Sequence, residues 1–68
     1  MKSISGKHFA RLLENRGWIL ARINGSHHVY MKQGNPSRIS LPIHKNEDLK
    51  TGLLRYFMKI AGIREDEI

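Results

Sequence analysis

Four histidines, His8, His27, His28 and His44, are the side chains of this sequence best suited to proton transfer near neutral pH, since an imidazole can give or take a proton there. Two of them are consecutive and follow Gly25 and Ser26. Glycine lets a sugar-phosphate backbone approach closely, and a serine hydroxyl can bind a phosphate oxygen or orient an imidazole. Metal-free RNA cleavage asks for little more: a base for the 2′-hydroxyl proton, cations for the phosphate and an acid for the leaving oxygen. His28 flanked by Arg22 and Lys32 meets that description in residue type. Tyr30, two residues along the same strand face, offers a ring on which a base could stack. The same residues equally describe a hairpin whose Asn-Gly-Ser turn is only a turn, carrying surface histidines and solvated cations. Residue types alone leave both readings open.

A metal site is not expected. Neighbouring strand residues point to opposite faces of a sheet, so His27 and His28 cannot share one ion. Adding His44 puts at most two histidines on one side with no carboxylate near them. His8 lies beside Phe9 in a helical stretch and reads as a solvated or boundary residue. Nothing in the sequence calls for a cofactor.

These residues need a scaffold. Residues 5–16 have helical spacing, with Ser5 as N-cap, Phe9, Leu12 and Leu13 on one face, and Gly17 as the stop. Trp18 to Ile23 is rich in strand formers, and Asn24-Gly25 is the dipeptide that a type I′ hairpin turn prefers. Ser26 to Lys32 alternates, placing His28, Tyr30 and Lys32 on one face and His27, Val29 and Met31 on the other. Residues 33–37 read as a second turn, and Arg38 to Ile43 as a short strand that Pro42 ends or confines to an edge. Asp48 is the expected N-cap of a second helix from Leu49 to Ala61. Its apolar stripe is Leu49, Leu53, Phe57 and Ile60, broadened by Leu54 and Ala61, and Gly62 ends it. Gly52 in its first turn is unfavourable by roughly 1 kcal/mol, which suggests close packing, a close ligand, or simple tolerance. The order α-β-β-β-α predicts an α+β fold, a three-stranded antiparallel sheet with both helices on one face and the other face bare.

The 68 residues make a single domain, 1–68, with a thin core. No apolar run approaches the roughly 20 residues of a membrane span, no leader-like start precedes the first helix, and the chain has no cysteine. A cytoplasmic protein is expected, without membrane contact. The net charge of +6 is unevenly placed. Residues 1–46 hold eight basic groups and one acid, Glu14, whereas residues 47–68 hold four basic and five acidic groups. Such a basic surface attracts a polyanion by counterion release, and nucleic acid is the commonest one; an acidic protein is the other partner it suits.

Gly25-Ser26-His27-His28, set between two strands after a Gly17-Trp18 helix stop, resembles the central motif of the HicA toxins, the YcfA-like family. Leu41-Pro42-Ile43-His44 resembles that family's Val-Pro-x-His segment, and residues 48–54 its Asp-Leu-Pro-x-Gly-Thr-Leu. Ile60-Ala61-Gly62-Ile63 and the acidic stretch Arg64 to Glu67 continue the likeness over nearly the whole chain. The resemblance implies a double-stranded-RNA-binding-like αβββα domain. It also implies an mRNA interferase of a type II toxin–antitoxin system, neutralised by a HicB-type antitoxin. The family's essential histidine stands two places after the Gly-Ser serine, so His28 inherits the catalytic role. Gly25, Ser26, His27, Arg22, Tyr30, Lys32 and His44 are the expected RNA contacts. Lys50 stands where the family often has proline, and Leu53 where it has threonine. The alternative is a non-catalytic RNA-binding module using the same basic face.

Overall fold

A computed structural model describes residues 3–68; Lys2, one of the eight basic groups counted above, lies outside them. The elements are α1 (Gly6–Asn15), β1 (Ile19–Asn24), β2 (His27–Lys32), β3 (Asn35–Pro42), α2 (Thr51–Ala61) and a terminal 3-10 turn, Glu65–Glu67. The sheet is antiparallel in the order β1-β2-β3. This is the α+β arrangement that the pattern predicted, in the double-stranded-RNA-binding-like order that the resemblance implied.

One sheet face is covered. Tyr30, Ile39 and Leu41 are buried there with Phe9 and Leu13 of α1 and Leu54, Phe57 and Met58 of α2. The helices meet at the rings of Phe9 and Phe57, 6.1 Å between centroids, and burying one such ring contributes roughly 1.5–3 kcal/mol. Trp18, Ile4, Leu49 and Ile63 close the margins of the core. Among the described residues no element lies over the opposite sheet face, and every residue of β1 is exposed.

Several local expectations are corrected. The β1–β2 turn is Gly25-Ser26, closed by the Asn24–His27 pair, rather than Asn24-Gly25. Only Gly25 has positive φ, +64°, the type II′ pattern with glycine at the first central position. Strand β3 begins at Asn35, not Arg38, because it is an edge strand where the missing N–H of Pro36 need not break the ladder. Helix α2 begins at Thr51 with Lys50 at its cap and no side-chain cap bond. Asp48 instead pairs with Ser5 in an isolated bridge, and the Leu49 amide donates to the Ile4 carbonyl at 2.8 Å. The buried stripe of α2 is accordingly Leu54, Phe57 and Met58, with Leu53 and Ile60 only partly covered. Finally, nothing lies within 4 Å of where a Gly52 side chain would begin, so packing does not require that glycine.

Candidate active groove and its basic wall

The site is assembled by one close approach and one clasp. Gly6, buried at the start of α1, lies against the end of β3: a β-carbon there would collide with the Pro42 carbonyl oxygen and stand 3.2 Å from Ile43 Cγ1. This contact sets α1 directly over the hairpin end of the sheet. Ser5 caps the helix, accepting from the His8 amide at 3.1 Å. The clasp is Ser26. Its carbonyl accepts the Ile43 amide at 2.8 Å, and its Oγ stands 3.3 Å from His44 Nε2, donating to that nitrogen when it carries no proton.

Between α1 and the sheet lies an open groove of about 490 Å³. Its helical wall is Lys7, Ala10, Arg11 and Glu14, spaced as one stripe of a helix. Its sheet wall holds His28, Tyr30 and Leu20, and Ile43 and Lys45 close the β3 end. Half-buried His28 thus shares one groove with Lys7, Arg11 and Lys45. None of these three cations has an ion-pair partner among the described residues; in the acidic tail, Glu67 pairs with Arg16 and Asp66 with Arg64.

Deeper in the groove, the Tyr30 hydroxyl donates to Glu14 Oε2 at 2.7 Å. Burial, and then this bond to a carboxylate, push the phenol well above its ordinary pKa, so it stays protonated. Tyr30 is only 2% exposed, and the expectation that its ring stacks on a base is corrected. Alternation placed it on the face of His28 as expected, but at Tyr30 that face is the core.

The other expected contacts are dispersed. Gly25 and Ser26 form the turn beside the groove. His44 touches Ser26 yet lines a separate hollow of about 310 Å³ with Glu47, Lys50 and Leu53. His27 and Arg22 lie on the bare sheet face, in a hollow of about 600 Å³ shared with Arg38. That hollow is the largest of these three, but it holds neither His28 nor the α1 cations, so size does not locate the chemistry. Lys32 stands beyond Tyr30, near Gly17, whose added β-carbon would lie 3.7 Å from Lys32 Cε. Arg22 misses the groove because of a bulge between Leu20 and Arg22. The bulge shifts the alternation by one, so that Ile23 pairs with His28 and Arg22 turns to the opposite face. Sequence reasoning did not select Lys7, Arg11, Glu14 or Lys45; the three-and-four spacing of the first three was the available signal. No group of three or more His, Asp or Glu side chains that could hold a metal ion occurs among the described residues.

Fold and groove together define a small double-stranded-RNA-binding-like domain with a histidine facing a basic helical wall. The family described as "HicA toxin of bacterial toxin-antitoxin" matches residues 6–63, and the chain belongs to the HicA toxin family. A solved structure titled "HicA3 and HicB3 toxin-antitoxin complex" is similar to it, with a TM-score of 0.66 and 33% identity, covering 87% of this chain and 94% of that one. No curated protein matches the chain. Among the described residues no helix is long and apolar enough to cross a membrane.

Proposed function

We propose that this toxin is an endoribonuclease that cleaves mRNA, with His28 as its proton-transfer residue. The observation that carries the reading is the meeting of His28 with Lys7, Arg11 and Lys45 in one groove. His28 takes the proton of the 2′-hydroxyl, and that oxygen attacks the adjacent phosphorus. The bond from phosphorus to the 5′-oxygen breaks as the new one forms, the leaving oxygen takes a proton from water, and the cations hold the extra negative charge that develops on the phosphoryl oxygens. Gly25 and Ser26 shape the rim where RNA enters, and Ser26 keeps His44 beside it as a substrate contact.

A HicB-type antitoxin is the proposed protein partner. The complex in which the similar toxin was solved supports it, as does the free positive charge of the groove, which an acidic surface would cover in competition with RNA.

The test is cleavage of a labelled single-stranded mRNA in EDTA by the protein and its His28→Ala variant, with binding followed in parallel. Cleavage by the parent, and binding without cleavage by the variant, are the expected results. Binding without cleavage by both would replace this reading with that of a non-catalytic RNA-binding module.

A further inference from the structure

The groove is electrically graded. Lys7 and Lys45 lie at its β3 end and Arg11 midway, whereas the far end of the same helical stripe is Glu14. Glu14 stands seven positions after Lys7, about 10 Å along the axis at 1.5 Å per residue. A groove that held only phosphates would gain nothing from a carboxylate, which repels them. Nor does the helix benefit, since Glu14 lies in the last turn of α1, where the dipole disfavours negative charge. The Tyr30 hydroxyl fixes Oε2, while Oε1 has no partner among the described residues and the side chain remains exposed. Beside it Leu20, 39% exposed, offers an apolar flank.

We propose that the Glu14 end of the groove is a nucleobase subsite that takes a base bearing an exocyclic amino group. The inference rests on the groove's binding RNA, as proposed above. With a phosphate held by the cations, the base of a neighbouring nucleotide lies towards Glu14, its ring against Leu20. The carboxylate accepts from the amino group; cytosine N4 to a glutamate is such a pairing. Uracil presents a carbonyl oxygen at the same place and is repelled. Tyr30 acts here as a positioning residue, holding one carboxylate oxygen so that the other faces the groove.

The experiment compares 2′-O-methyl hexamers of cytidine and of uridine, whose blocked 2′-hydroxyls prevent cleavage, by fluorescence anisotropy at two salt concentrations. The protein as it stands binds the cytidine hexamer at least about fivefold more tightly, from a pairing worth about 1 kcal/mol or more. Both affinities fall with salt while their ratio holds, because salt weakens the phosphate contacts. Glu14→Gln still accepts from Tyr30 but turns an amide N–H towards the base, so the preference disappears or inverts. Tyr30→Phe narrows it without inversion. Equal binding of the two hexamers by the parent, or an unchanged ratio in Glu14→Gln, overturns the subsite and leaves the nuclease reading standing. Binding of neither hexamer by the parent overturns both.

Discussion

Gly6 and Pro42 meet backbone to backbone, the glycine α-carbon pressed against the proline carbonyl with no room for a side chain between them. Through this contact the N-terminal turn of α1, and with it Lys7 and Arg11, is fixed over the strand end that leads to Ile43 and His44. A small domain with a thin core has few other ways to hold a helix at that position.

Gly6→Ala is therefore expected to destabilise the fold by about 1–3 kcal/mol, the usual cost of forced overpacking. Gly52→Ala is its control. That glycine is in a helix and faces open space, so alanine should stabilise by about 0.4–1 kcal/mol. Urea denaturation of the two variants decides; a neutral Gly6→Ala would show that α1 is not pinned there.

Removing the groove cations should alter how binding depends on salt. Lys7→Ala, Arg11→Ala and Lys45→Ala each delete about one phosphate contact. Each should therefore make the plot of log affinity against log salt shallower by about 0.7 for single-stranded RNA. Arg22→Ala, on the opposite sheet face, should leave the slope unchanged. A drop for Arg22→Ala equal to that for Arg11→Ala would place the RNA on the bare face instead.

Tyr30 predicts a loss of stability in alkali. Its phenol is held protonated in the fold and ionises near pH 10 in the unfolded chain. Below that pH both states carry the proton and the stabilisation is complete. Above it the unfolded chain releases the proton first, so stability falls as pH rises. Thermal unfolding between pH 9 and 11 should show this fall, and Tyr30→Phe should flatten it after losing about 0.5–1.5 kcal/mol at neutral pH.

Ser26 and His44 form a pair that a double-mutant cycle can read. Each alanine variant breaks the same 3.3 Å contact, so the losses should be less than additive, by about 0.5 kcal/mol in stability for so exposed a pair. Strict additivity would mean that the contact contributes nothing.

The periodicities were enough to recover the element order, the covered sheet face and the opposition of His27 to His28. They failed where a single residue changes phase. The bulge at Ala21 cannot be read from a run of strand formers, yet it sends Arg22 to the far side of the sheet. Alternation correctly grouped Tyr30 with His28, but no pattern within β2 reveals that Tyr30 is buried while His28 is left half-buried in the groove. The groove cations went unselected for a related reason. Lys7 and Arg11 look like the solvated face of an amphipathic helix until Gly6 fixes which way that face looks. Asp48 has the residue type of a cap, but the chain used it to pair with Ser5 across the two segments that precede the helices.

The ion pair of Arg16 with Glu67 has a consequence at long range. By holding the acidic terminus to the end of α1 remote from Lys7, it separates negative from positive charge across the molecule. Such a particle carries a permanent electric moment. In the field of a polyanion it feels a torque before it feels any contact, and it arrives already turned with its cationic end forward, which raises the rate of productive encounter.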